Sequence, residues 1–403
     1  MGELKRRVPR LHEVSQFVAP TFRRAPGGRL ARVRSTADFA RLAQRRTPRA
    51  VFDYVAGAAE RETAIARSTD AFDSVVFHPR VLRDVASVDT GTTILGAPAA
   101  FPVVLGPTGF TRMMRTEGEP AVARPAGRAG IPYTLSTMGT TSVETLAAEA
   151  PDAERWFQLY LWRDRPRSRE LIARAKESGY RTLVLTVDVP VAGARLRDVY
   201  NGLTIPPRLS SRTLVDIARH PRWAFDALST EPLSFASLGA AGDVMAIINS
   251  IFDPSATLAD VEWLRSEWDG PVVVKGVQRV DDAKDIVSAG ADGIAVSNHG
   301  GRQLDRAPAP LRLLPDVVEA VGDATEVYLD GGVRCGADVA AAVALGARAC
   351  FVARPYLYAL MGAGEPGVDH LLTLLKNDYA RTLQLLGVTS TDGLDSDLVT
   401  LLP

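Results

Sequence analysis

Eight times from residue 101 onward, a short apolar or β-branched run gives way to a longer stretch, and this repetition constrains the fold more than any other feature. The runs are Phe101–Gly106, Ile131–Ser136, Arg155–Tyr160, Thr182–Asp188, Pro271–Lys275, Gly293–Ser297, Glu326–Asp330 and Arg348–Ala353. Between most of them lie Ala-rich segments with helical spacing: Glu119–Ala129, Ser142–Glu149, Arg167–Ser178, Asp281–Ala289 and Gly336–Leu345. Strands that read as unbroken apolar runs and alternate with helices indicate a parallel sheet covered on both faces. Eight such units predict an α/β fold, a closed (β/α)8 TIM barrel, in preference to an open sheet. Gly130, Gly179, Gly290 and Gly346 follow helical segments, where a residue with positive φ is wanted.

Two stretches do not fit the repeat. Residues 1–100 precede the first run and predict a basic arm followed by helices that plug or flank the barrel. Residues 191–257 follow the fourth run and are far too long for an ordinary βα loop. The expected organisation is an arm at 1–34, one barrel domain at 35–403, and the 191–257 insert as a lid, a packed excursion or a contact region. That insert carries Trp223, Phe225, Leu228, Leu233 and Phe235. Charge is unevenly spread: 47 basic and 47 acidic residues cancel. Nine cations in the arm (Lys5, Arg6, Arg7, Arg10, Arg23, Arg24, Arg29, Arg32, Arg34) face only Glu3 and Glu13, which gives 9 − 2 = +7 there and −7 elsewhere. Zero net charge argues against nucleic acid as a partner. The arm reads either as a solvated tail or as a contact for anionic lipid or an acidic redox partner. Cys335 and Cys350 lack metal-ligand spacing, no metal site is expected, and a reducing compartment is implied. Without a membrane span or a signal-peptide core, the expected location is cytoplasmic, at most peripheral to the inner face of the membrane.

Barrel enzymes place their reacting groups at the C-terminal ends of the strands. Those ends hold Pro107-Thr108-Gly109, Ser136, Gln158 with Tyr160, Thr186 with Asp188, Lys275, Ser297 with His299, Asp330-Gly331-Gly332, and Arg354. Polar residues and Gly/Pro turns collect at one end of every strand, as a constructed site requires. Asp330-Gly331-Gly332-Val333-Arg334 and Arg354 follow the last two runs, where barrels hold phosphates, and arginine supplies charge-assisted contacts there. Of five histidines only His299 lies in a glycine-flanked loop at this end. Asp188 beside it would stabilise the imidazolium formed when His299 accepts a proton. Arg302 and Arg195 suit an anionic substrate, since either can bind a carboxylate in bidentate fashion.

The segment Ser297–Asp305, SNHGGRQLD, resembles the signature of the FMN-dependent 2-hydroxy-acid dehydrogenases and oxidases. In order along the chain stand Phe52-Asp53-Tyr54, PTGFTRMM with EGE, WFQLY, LTVDVP, VVKG, DGGVR and VARP, so the resemblance runs from about Asp53 to Gly387. VAGARLRDVYNG and EPLSFASL look closest to the actinobacterial L-lactate dehydrogenase branch. The resemblance implies FMN held at its ring by Pro107, Thr108, Gly109, Ser136, Gln158 and Thr186. Lys275 would stabilise negative charge on the reduced ring. Ser297, Asp330, Gly331, Gly332, Arg334 and Arg354 would bind the ribityl chain and phosphate. Tyr54, Arg195 and Arg302 would hold the substrate carboxylate, Tyr160 its hydroxyl, and His299 with Asp188 would act as base while two electrons pass from Cα to flavin N5. Only the family pattern singles out Tyr54.

The chain departs from that pattern at Gly109, where several relatives carry Ala and which predicts extra room near the flavin. Met138 stands on the pocket wall where glycolate oxidase has a large aromatic. Ala353 replaces Gly before Arg354 and is tolerable if its φ is negative. The implied reaction is oxidation of an (S)-2-hydroxy acid, L-lactate to pyruvate first, with quinone, cytochrome or oxygen as acceptor. Relatives are commonly tetramers, so a homotetramer is implied. The competing readings are an oxidase of a larger or peptide-borne 2-hydroxy acid, kept open by Met138 and Gly109, a non-redox FMN isomerase, and a non-catalytic scaffold. The carboxylate clamp argues against the isomerase, and the full set of expected catalytic residues argues against the scaffold.

Overall fold

The computed structural model describes residues 10, 30–203, 210–238 and 252–403. It divides into two units, Met1–Arg34 and Ser35–Pro403. In the first, a 3-10 turn forms at Leu30–Arg32; Lys5, Arg6, Arg7, Arg23, Arg24 and Arg29 of the basic arm lie outside the described residues.

The second unit is built on a closed, eight-stranded parallel barrel. Its strands are β1 (Val103–Leu105), β2 (Tyr133–Ser136), β3 (Arg155–Leu159), β4 (Thr182–Thr186), β5 (Val272–Val277), β6 (Gly293–Ser297), β7 (Glu326–Asp330) and β8 (Ala349–Val352). Each coincides with a predicted run, and β8 pairs with β1 through Cys350 and Val103 to close the ring. Nearly every strand residue is buried, because side chains point alternately into the barrel and against the outer helices. Inside, Trp156, Tyr328 and Phe351 meet edge to face with centroids 5.8–6.2 Å apart, each such pair adding about 0.5–1.5 kcal/mol beyond area burial. The predicted helices appear at Pro120–Ala129, Val143–Glu149, Arg165–Glu177, Val280–Ser288 and Gly336–Ala344. Gly130, Gly179, Gly290 and Gly346 all have positive φ.

The segment before the barrel forms the expected helices, but a different element serves as the plug. Three helices form (Thr36–Arg46, Arg49–Ala56, Thr63–Asp73), but the plug is a hairpin, Thr92–Ile94 with Ala97–Ala99. Its Ile94 and Ala99 join Val104, Trp156 and Tyr328 in the barrel core. A two-residue turn between short apolar strands inserts into a barrel mouth more readily than a helix some 10 Å across. The helix Arg49–Ala56 instead borders the opposite end, where Tyr54 and Val55 line the main cavity.

Candidate active site

At the C-terminal ends of the strands lies a cavity of about 640 Å³. It gathers the expected Pro107, Thr108, Gly109, Ser136, Met138, Tyr160, Thr186 and Lys275, together with His299, Asp330, Gly331, Gly332, Arg334 and Arg354. Tyr54, Arg195 and Arg302 also line it, although they come from outside the strands. Three expected residues stand one layer behind the wall. Gln158 accepts a hydrogen bond from Ser136 Oγ at 2.9 Å. Ser297 Oγ donates to Asp330 at 2.7 Å. Asp188 meets the imidazole of His299.

The loop after β6 adopts a run of left-handed residues, His299 (φ 56°), Gly300 (61°) and Gly301 (74°). A non-glycine residue rarely takes that conformation. Here the His299 N–H is held by Ser297 Oγ at 2.9 Å, and its Nδ1 lies 2.8 Å from Asp188 Oδ1. An ionised carboxylate can only accept, so Nδ1–H donates to it and Nε2 is left as a proton acceptor. Among the described residues Asp188 Oδ2 is buried without a hydrogen-bond partner, which leaves its charge available to an imidazolium.

Behind this pair β5 carries a bulge between Lys275 and Val277. Gly276 sits there at φ 113°, and a Cβ on it would lie 2.7 Å from Asp188 Cβ. Gly276→Ala is therefore expected to displace Asp188 and lower kcat by about tenfold or more, since small misplacements at a reacting centre are costly. Steady-state rates normalised to bound FMN check this.

Lys275 is buried, with Nζ 2.7 Å from Asp330 Oδ2 and 3.1 Å from Ser297 Oγ. Burial disfavours its ammonium, but Asp330 and Asp188 outweigh burial and raise its pKa. Burial likewise pushes the Asp330 carboxyl up, while Lys275 and Ser297 hold it below its ordinary value. The Tyr160 phenol is raised by burial and by Asp188, and so stays protonated.

Three half-buried guanidiniums, those of Arg302, Arg334 and Arg354, complete the wall. Arg354 donates to the carbonyls of Val55, Gly300 and Gly57 at 2.8–2.9 Å. Burial lowers the pKa of Arg302, Arg334 and Arg354, and neighbouring arginines lower Arg302 and Arg354 further. Among the described residues none of the three is closed by a carboxylate. Around the cavity, among the described residues, Lys275, Arg195, Arg302, Arg334 and Arg354 stand against Asp198 and Asp330 alone, a cation excess that fits an anionic occupant. Ala353 has φ −122°, so its methyl adds no backbone strain beside Arg354.

FMN fits this wall. A phosphate answers the surplus of half-buried arginines, Lys275 offers a cation to the ring, and the Thr186 hydroxyl and Gln158 amide are buried donors without partners among the described residues. Gly332 is needed for a second reason besides approach to a phosphate: at φ 89° its α-carbon faces the Ser68 carbonyl of helix Thr63–Asp73, with no space for a Cβ. Room at Gly109 is smaller than expected, for a Cβ there would stand 3.0 Å from Met138 Cβ.

Sequence reasoning missed Gly276, Asp198, Leu203, Leu233 and Phe252. The last four belong to the insert and line the cavity with Ala192 and Arg195. Phe235 is also buried, its ring 4.7 Å from that of Phe110. These contacts favour the lid reading for this part of the insert; residues 204–209 and 239–251 lie outside the described residues.

Comparison with known proteins agrees with this site. The FMN-dependent dehydrogenase family matches residues 43–401. A Mycobacterium tuberculosis protein provisionally named L-lactate dehydrogenase is 50% identical over 401 residues, covering 98% of this chain and 97% of its own. The L-lactate dehydrogenase of Caulobacter vibrioides is 42% identical over 375 residues, 91% of this chain and 97% of that one. Among solved structures, the monotopic membrane protein (S)-mandelate dehydrogenase superposes with a TM-score of 0.89 at 37% identity, covering 92% of this chain and all of that one. A mandelate oxidase superposes at 0.78 with 39% identity, covering 89% and 96%. The cavity, its cation excess and these matches lead to one conclusion: the chain belongs to the FMN-dependent dehydrogenase family.

Proposed function

We propose that the protein oxidises an (S)-2-hydroxy acid, L-lactate to pyruvate in the first instance, with FMN as its cofactor. The observation that carries the reading is the His299–Asp188 pair at 2.8 Å, facing a cavity that also presents Arg195, Arg302 and Tyr160. Arg302 is fixed by the Tyr54 carbonyl at 2.6 Å and its guanidinium lies over the Tyr54 ring at 4.8 Å. Its remaining N–H groups, with those of Arg195, hold the substrate carboxylate. Tyr160, kept protonated, donates to the substrate hydroxyl oxygen. His299 Nε2 takes the hydroxyl proton as the Cα–H bond breaks, and Asp188 stabilises the resulting imidazolium. When bound, FMN supplies the two-electron acceptor that no side chain offers; Ser136, Thr186 and Lys275 would border its ring, and Arg334 and Arg354 its phosphate. Lys275 contributes a preorganised positive charge. Reduction of the purified holoenzyme by L-lactate without oxygen tests the reading.

A second substrate reading has its own support. Met138, Leu203, Leu233 and Phe252 form an apolar stretch of the cavity wall, larger than a lactate methyl group requires. A panel of aliphatic and aromatic 2-hydroxy acids, compared by kcat/KM, separates the two.

We also infer peripheral contact with a membrane. Among the described residues no helix is long and apolar enough to cross one. The insert helices Ser211–Ala218 and Pro221–Leu228 leave Leu214, Val215, Phe225 and Leu228 exposed, the last at 87%, and one structural relative is a monotopic membrane protein. Exposed apolar groups of this kind mark interaction surfaces. The double substitution F225D/L228D is expected to reduce co-sedimentation with phosphatidylglycerol vesicles at least about fivefold, as loss of two buried apolar anchors implies, with lactate turnover unchanged.

A further inference from the structure

The helix Leu196–Tyr200 opens the insert, with Arg195 as its N-terminal flank and Asp198 in its first turn. Asp198 is 7% exposed and lines the same cavity as Arg195, Arg302 and Tyr54. The mechanism above does not use it. Its Oδ2 accepts from Arg195 Nε at 2.8 Å, and among the described residues the terminal nitrogens of Arg195 make no hydrogen bond. A guanidinium tied through Nε keeps a pair of Nη donors for another anion.

A carboxylate between two arginines that receive a carboxylate weakens their net pull on the substrate. Burial raises the Asp198 carboxyl, Arg195 and Arg302 draw it back down, and Asp53 pushes it up again. So costly a placement makes sense if the direction of Arg195 matters more than its bare charge. The Tyr54 ring, 5.6 Å from the guanidinium carbon, limits it on another side. The helix that carries the pair has separate anchors: Arg197 meets Asp53 at 3.4 Å and Glu62 at 2.5 Å, and Asn201 donates to Asp53 at 2.8 Å. Removal of the Asp198 carboxylate therefore frees the Arg195 side chain while its backbone stays in place.

We propose that Asp198 is a positioning residue for substrate binding, aiming the terminal N–H groups of Arg195 at the substrate carboxylate. The proposal rests on the reading of Arg195 and Arg302 as the carboxylate clamp. The test compares the holoenzymes Asp198→Ala, Asp198→Asn and Arg302→Ala. It measures KM and kcat for L-lactate, the Kd of oxalate from its perturbation of the flavin spectrum, and Tm. Asp198→Ala is expected to raise KM and the oxalate Kd by about tenfold or more, the value of a charge-assisted hydrogen bond, with kcat changed much less. Asp198→Asn keeps an acceptor for Nε and is expected to restore most of the affinity. Equal damage from Ala and Asn, unchanged or tighter oxalate binding by Asp198→Ala, or a fall in Tm without a change in KM would each overturn the proposal. If Arg302→Ala also left KM and oxalate binding unchanged, the clamp reading itself would fail. An effect of Arg302→Ala without one of Asp198→Ala rejects the positioning role alone.

Discussion

Replacing His299 by asparagine is expected to slow substrate-driven flavin reduction by about 10³-fold, the middle of the range for a lost general base. Asparagine is the informative replacement because His299 sits at φ 56°, a region that Asn tolerates far better than most residues. The loop should therefore keep its shape, and FMN should remain bound. Asp188 then faces a neutral amide that accepts no proton from the substrate hydroxyl. His299→Ala should show a similar rate with some added strain. Anaerobic single-turnover mixing reads the rate directly, and retention of rapid reduction, within about tenfold of wild type, would place the base elsewhere.

The second large effect concerns Lys275. Lys275→Met removes one partner of a buried ion pair and leaves Asp330 enclosed with, among the described residues, only Ser297 as donor. Breaking a buried pair in this way costs about 3–5 kcal/mol, so a clear fall in Tm and in the urea midpoint is expected. Flavin reduction should slow as well, since a fixed cation beside the ring is lost. The pH dependence of the wild-type pair has a definite sign. Asp330 titrates below its ordinary value, so its stabilising contribution is complete above about pH 3.9 and is lost as pH falls through the depressed pKa. Lys275 titrates above its ordinary value, so its contribution is complete below about pH 10.4 and disappears as pH rises through the raised pKa. Between those limits the wild-type pair should leave stability flat. In Lys275→Met the exposed cost of Asp330 should shrink in acid, where the carboxyl protonates.

The barrel is legible in the sequence because buried parallel strands leave so plain a trace. Whole runs such as Thr182–Thr186 and Val272–Val277 are buried on both faces, so no apolar–polar alternation interrupts them and apolar continuity alone locates them. The strand-end residues follow from the one-sided placement of chemistry in a barrel. Residues outside that frame are harder. The path of the insert depends on tertiary packing, and no period in the sequence says that Leu233 and Phe252 return to the cavity. Asp198 carries a faint signal, its i,i+3 spacing from Arg195. Gly276 carries a better one: an isolated glycine within a strand marks a bulge or a close approach, and here it marks both. The plug escapes a sequence reading because helix-forming sequence dominates residues 36–73, while the hairpin at 92–99 is only two three-residue strands.

If His299, Asp188 and the arginine pair act on a 2-hydroxy acid beside FMN, the flavin itself reports the reaction. The most direct measurement is anaerobic mixing of the purified holoenzyme with L-lactate, and separately with D-lactate, followed through the visible absorbance of the flavin. Rapid bleaching by the L form alone, with one pyruvate formed per flavin, is the predicted result. A holoenzyme that stays oxidised with L-lactate and with every larger (S)-2-hydroxy acid would contradict it.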